Sequence, residues 1–136
     1  MAKILIVDDS AFTRHLLGMI VKMGGHEVVG SAEDGKQAIQ LYKSLRPDLV
    51  TLDWLMPSKS GEAVLKKILK MDPGAKVIMI TGWANRSIEG RVLTAGAKAF
   101  LEKSDVQKNL LRVVEEVLGE IGNQDQQSSL EADPTA

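Results

Sequence analysis

The feature that most constrains this chain is an alternation repeated along its length: short, nearly continuous apolar runs rich in β-branched residues, separated by longer stretches with helical period. The strand candidates are Lys3 to Asp8, Glu27 to Ala32, Leu49 to Asp53, Lys76 to Ile80 and Ala99 to Glu102. A strand whose both faces are covered reads as an unbroken apolar run, and parallel sheets are covered in this way by helices on each face. The pattern therefore predicts a doubly wound α/β fold with a five-stranded parallel sheet.

Between the runs, Phe12, Leu16, Ile20 and Met23 mark one face of a first helix, and Gly24-Gly25 supplies left-handed backbone to stop it. A second helix spans Gly35 to Leu45 and is stopped by Arg46-Pro47. The third starts near Gly61, carries Val64, Leu65, Ile68 and Leu69, and ends before Asp72-Pro73-Gly74. The fourth, Asn85 to Ala95, is the weakest, because Gly90 interrupts it and its apolar positions are only Ile88, Val92 and Leu93; it is expected to move most easily. The fifth has the clearest stripe: Val106, Leu110, Val113, Val114, Val117 and Ile121. From Gly122 to Ala136 the chain is polar and aperiodic, so one domain over 1–121 and a disordered tail over 122–136 are expected.

Length and composition narrow the function. One domain of 136 residues can bury its core without cross-links, and a net charge of -1 offers no basic field for a polyanion, which argues against direct nucleic-acid binding. With no cysteine, a disulfide scaffold and a thiolate metal cluster are both excluded. No apolar run is long enough to span a bilayer and Met1-Ala2-Lys3 leads straight into a strand, so a cytoplasmic protein is expected.

In an open α/β sheet, residues following the carboxyl ends of the strands converge on one crevice. Asp8 and Asp9 follow the first apolar run and Asp53 ends the third. If those strands are neighbours, three carboxylates crowd together, and like charges so close must take up a proton or bind a cation, for which hard, oxygen-loving Mg2+ is suited. Asp8 or Asp9 could alternatively do no more than cap the following helix. Asp53, between an apolar run and Trp54-Leu55-Met56-Pro57, is expected to be shielded; such a carboxylate can attack phosphorus to form an acyl phosphate. Thr81 and Lys103 follow the fourth and fifth strands on the same edge, where a hydroxyl and an ammonium would spread the charge of a phosphoryl group.

These residues resemble the receiver domains of bacterial response regulators, especially the stand-alone chemotaxis kind, over about residues 3 to 120. The marks are Ile-Leu-Ile-Val-Asp-Asp-Ser at 4 to 10, Asp53 followed by Met56-Pro57 and Gly61, Thr81-Gly82, Ala95-Gly96-Ala97, and Lys103. The resemblance implies the flavodoxin-like (βα)5 strand order 2-1-3-4-5 and phosphorylation of Asp53. It implies Mg2+ held by Asp8, Asp9, the Asp53 carboxylate and the Leu55 backbone carbonyl, with Thr81 and Lys103 binding the phosphoryl group. It further implies a histidine kinase or histidine phosphotransfer protein as donor, and an unidentified protein target docking on the fourth helix, fifth strand and fifth helix. A monomer is expected, and a phosphoacceptor switch rather than a true enzyme.

In such receivers an aromatic residue three positions before the lysine acts as a switch, which here is Phe100; lacking a polar end, it is expected to prefer a buried rotamer. The family's usual proline after the lysine is replaced by Ser104, so a trans bond is expected there, and Ser104 and Gln107 have capping-box spacing. Leu55 and Trp83, each two residues beyond Asp53 and Thr81, are bulky and apolar and cannot orient an attacking water, which predicts slow self-dephosphorylation. His15 and His26 have neither the spacing nor the neighbours of a metal pair and are expected at the surface. A flavodoxin-like electron carrier would need a Ser/Thr/Gly-rich phosphate loop where Asp8-Asp9 stands, and an aspartate-nucleophile phosphatase would need Asp-x-Asp there. A docking module that no longer accepts phosphate is the remaining alternative, suggested by Ser104.

Overall fold

The apolar runs become the strands β1 (Lys3–Val7), β2 (Glu27–Ala32), β3 (Leu49–Asp53), β4 (Val77–Thr81) and β5 (Ala99–Glu102). The helices are α1 (Ala11–Met23), α2 (Gly35–Leu45), α3 (Gly61–Met71), α4 (Arg86–Ala95) and α5 (Val106–Glu131), the last entered through a 3-10 turn, Lys103–Asp105. This computed structural model describes residues 1–56, 59–83 and 86–131, without the side chains of 120–131. The expected positions of Pro57, Asn85 and the Ile121 side chain lie outside the described residues.

All five strands are parallel, in the order β2-β1-β3-β4-β5. Because successive side chains on a strand point to opposite faces, the apolar runs sort into two cores. Leu5, Val7, Val50, Leu52, Val77 and Met79 pack under α2, α3 and α4 with Tyr42, Val64, Leu65, Ile68 and Val92. Ile4, Ile6, Leu49, Ile78 and Ile80 pack under α1 and α5 with Leu17, Val21, Leu110 and Val114. From β1 the chain first moves outward to β2 and then returns to build β3, β4 and β5 on the other side. The direction of winding thus reverses between β1 and β3, and a crevice opens there at the strand carboxyl ends.

Helix starts follow the expected chemistry. Ser10, Asp34 and Ser60 are extended N-caps whose side chains accept from the backbone N–H of Thr13, Gln37 and Ala63. Gly25 ends α1 at φ +85, a left-handed conformation that glycine adopts without cost. Arg46 ends α2 at φ +45, which a non-glycine residue holds only with help; its guanidinium lies 5.8 Å over the Tyr42 ring and 3.8 Å from Asp72.

Three expectations are corrected. The buried face of α1 is Leu17, Gly18, Ile20 and Val21, whereas Phe12 and Met23 are 75% and 78% exposed. Apolar residues surround this helix, so periodicity alone could not choose between stripes. His26 is buried, not superficial: its Nδ1 accepts from the Ala2 N–H at 3.1 Å and its Nε2 meets Glu115 Oε2 at 2.6 Å, pinning the chain start to α5. Ser104 lies inside the 3-10 turn rather than at an extended cap, so it cannot form the expected capping box with Gln107. The α5 backbone continues through Glu131; the polar stretch after Gly122 holds Gln, Asp, Ser and Glu, with no proline before residue 134 to break it. The Lys103–Ser104 bond is trans, as expected.

Thr51, mid-strand in β3, is 1% exposed, and its Oγ1 has no hydrogen-bond partner among the described residues. A buried hydroxyl without a partner costs about 1–3 kcal/mol. Thr51→Val is expected to raise unfolding stability by about 1 kcal/mol; an unchanged or lower urea midpoint would contradict this.

Candidate functional site

The reversal of winding brings the ends of β1 and β3 side by side, with Val7 opposite Leu52, so Asp8 and Asp53 meet just beyond the register. Asp8 is 1% and Asp53 3% exposed, while Asp9 faces solvent. Carboxylate oxygens of Asp8, Asp9 and Asp53 all lie within 4.8 Å of one another. Lys103, just after β5, reaches across β4 into this cluster, its stem passing Gly82. Its Nζ lies 3.0 Å from Asp8 Oδ2 and 3.6 Å from Asp53 Oδ2. Thr81, fully buried, ends β4 beside β3; its Oγ1 accepts from the Trp83 N–H at 3.2 Å.

Local backbone shapes the crevice. Asp8 Oδ1 accepts from the Ser10 N–H at 2.9 Å, which leaves Oδ2 to face the cluster. The Leu55 N–H points back at Asp53 Oδ1 at 3.4 Å. The Gly61 N–H bonds the Trp54 carbonyl at 2.8 Å, and any Cβ at Gly61 would run into the Asp53 carbonyl. This close approach explains why glycine stands at that motif position.

The electrostatics are those of a crowded acid site. Burial first, then the charge of Asp8, push the Asp53 carboxyl up to about 7; Lys103 and the Leu55 N–H oppose the rise, and a hydrogen bond with Asp9 adds to it. Burial alone would lower Lys103, but the closeness of Asp8 and the charge of Asp53 hold it above its ordinary value. Asp8 Oδ2 is fully buried and, among the described residues, receives no directed hydrogen bond, only the ammonium at 3.0 Å. Three converging carboxylates form an all-oxygen donor set that fits a hard divalent cation.

The structure thus gathers Asp8, Asp9, Asp53 and Lys103, and sets Thr81 on the adjoining strand end. Phe100 is half-buried against the α2–α4 core, on the neighbouring strand to Thr81. Leu55 and Trp83 both stand exposed, at 60% and 69%. His15 is at the surface, as expected. One neighbour had escaped the sequence analysis: Arg14, one turn into α1, whose NH1 donates to the Asp8 carbonyl at 2.7 Å. No motif marks it, because its partner is a backbone atom.

Comparison with known proteins agrees with this geometry. Residues 4–115 match the response regulator receiver domain family. The chain is 42% identical over 101 residues to the chemotaxis protein CheY of Thermotoga maritima, covering 74% of this chain and 84% of that protein. It is 40% identical over 116 residues to CheY of Bacillus subtilis, covering 85% and 97%. A chain of the CheX–CheY–BeF3–Mg2+ complex from Borrelia burgdorferi superposes with a TM-score of 0.78 at 35% identity, covering 85% of this chain and 87% of that one. With its strand order, its acid crevice and this extent of likeness, the chain belongs to the response regulator receiver domain family.

Proposed function

We propose that this receiver is a phosphorylation switch in which Asp53 accepts a phosphoryl group, with Mg2+ held by Asp8, Asp9, Asp53 and the Leu55 carbonyl. The observation that carries it is the buried Asp53 carboxylate clustered with two further acids and the Lys103 ammonium at the point where the winding reverses. When bound, the cation would neutralise the acids and the incoming phosphoryl oxygens. An Asp53 oxygen attacks phosphorus in line and forms the acyl phosphate O–P bond. The bond from phosphorus to the donor breaks, an N–P bond when the donor is a phosphohistidine, and its electron pair leaves with the donor. The Lys103 ammonium and the Thr81 hydroxyl then bind the phosphoryl oxygens, which requires Thr81 Oγ1 to leave the Trp83 N–H.

The donor would be a histidine kinase or histidine phosphotransfer protein, and the signal would leave by docking of a protein target on α4, β5 and α5. Two features suit α4 to that role. Val92 is its one buried residue, and Gly90 has open space where a side chain would stand. Phe100 of β5, packed against the same core as Ile88 and Ala95 of α4, would couple Thr81 to that surface. We assign the receiver unit to residues 1–121, acting as a monomer in the cytoplasm; no helix among the described residues is long and apolar enough to cross a membrane.

Borohydride reduction of the phosphorylated protein tests the acceptor directly, because it converts an acyl phosphate of aspartate to homoserine. Homoserine at position 53 is expected; homoserine elsewhere, or none, would overturn the assignment. Since exposed, apolar Leu55 offers no group to orient water, the acyl phosphate should be long-lived. Leu55→Asn is expected to shorten its half-life by about tenfold, a size typical of weak assistance to an attacking water. An unchanged half-life would count against that role.

A further inference from the structure

We infer that Arg14 is a positioning residue for the cation site, holding the peptide between Asp8 and Asp9 in the plane that makes the site select Mg2+ over the larger Ca2+. The inference rests on the proposed metal-binding role of the acid cluster and adds to it a residue outside that cluster. Asp8 and Asp9 occupy the short turn between β1 and α1. Asp8 is anchored from several sides: its N–H bonds the Ala32 carbonyl at 3.0 Å, and its Oδ1 accepts from Ser10 at 2.9 Å. Asp9 instead is exposed, and the direction in which its side chain leaves depends on the Asp8–Asp9 peptide.

The carbonyl of that peptide is the acceptor of Arg14 NH1 at 2.7 Å, a short, charge-assisted bond that would have to break for the peptide to rotate. The other end of the guanidinium lies 4.0 Å from Glu33, which is 60% exposed, so this second contact steers the fork and contributes little energy. The Arg14 side chain is 21% exposed and springs from the first turn of α1, whose start is fixed by the Ser10 cap. A rigid helix end therefore reaches back and locks one ligand-bearing peptide.

Charge alone cannot explain a guanidinium here, since a cation beside a cation site opposes metal binding. Geometry can. Mg2+ demands nearly ideal octahedral placement of its oxygens, whereas Ca2+ accepts irregular and longer bonds. A locked Asp9 favours Mg2+, and a loosened one penalises Mg2+ more than Ca2+.

The test is calorimetric titration of the full chain and of Arg14→Met with MgCl2 and with CaCl2. Loss of the charge changes both affinities alike, so it cancels in the ratio of the two dissociation constants. Arg14→Met is expected to reduce the preference for Mg2+ over Ca2+ by about fivefold or more, with unfolding in chelator little altered. Arg14→Lys, which keeps the charge but not the planar fork, should show the same direction with a smaller change, and decides the matter if the Met variant does not fold. A ratio unchanged from the unaltered protein would overturn the inference. Absence of saturable Mg2+ binding in the unaltered protein is a different result: it would remove the metal-binding role itself, and with it that of Arg14.

Discussion

Asp53→Asn is expected to make the metal-free protein more stable by about 2–4 kcal/mol at pH 8, while abolishing phosphoryl uptake. The carboxyl is 3% exposed and stands against Asp8, so its ionised form is disfavoured in the folded state and its pKa rises from 3.8 to about 7. Each unit of such a rise is about 1.4 kcal/mol favouring the protonated form. The sign follows from proton counting. Below pH 4 the group is protonated both folded and unfolded and contributes nothing. Between about 4 and 7 the unfolded chain has released its proton and the folded chain has not, so stability falls as pH rises; above 7 the loss is complete. The gain from Asn should therefore be small near pH 5 and largest at pH 8, read as urea midpoints at both. A gain that shrinks toward high pH, or a loss at pH 8, would show that Asp53 is not the strained acid described.

Lys103→Met is expected to tighten Mg2+ binding by about tenfold or more, about 1.4 kcal/mol, while destabilising the metal-free protein by about 3 kcal/mol. In the metal-free site the ammonium acts as the internal counter-ion, 3.0 Å from Asp8 and 3.6 Å from Asp53. A divalent ion must displace it from Asp8 Oδ2, the buried oxygen that receives no directed hydrogen bond. Removing it leaves the buried Asp8 and Asp53 carboxyl groups without their counter-ion, which is costly until a cation arrives. Mg2+ should then raise the melting temperature of the variant by more than that of the unaltered protein. Weaker Mg2+ binding in the variant would mean that Lys103 holds the acids in place for the metal rather than standing in for it.

The sheet and the acid cluster were legible in the sequence because both depend on local pattern. Runs such as Ile4-Leu5-Ile6-Val7 can be covered only from both faces, and topology carries whatever follows such a run to the crevice. Errors arose where the deciding partner is remote in sequence. The stripe on α1 was misjudged because Leu17 and Val21 answer to β1 and α5, and His26 because its partners are Ala2 and Glu115. Ser104 has capping-box spacing, but the demand that Lys103 reach Asp8 and Asp53 goes with a tight 3-10 turn in which no extended cap fits. Arg14 was invisible for a further reason: a side chain that bonds a carbonyl needs no particular partner residue.

Intact mass after incubation with acetyl phosphate decides most directly whether this receiver is a working switch. It is to be taken with Mg2+, with Mg2+ plus chelator, and for Asp53→Asn. One phosphoryl group added to the unaltered protein, absent with chelator and absent in the variant, is the expected result. A folded protein that gains no mass with Mg2+, or the same gain in Asp53→Asn, would contradict Asp53 as the phosphoacceptor.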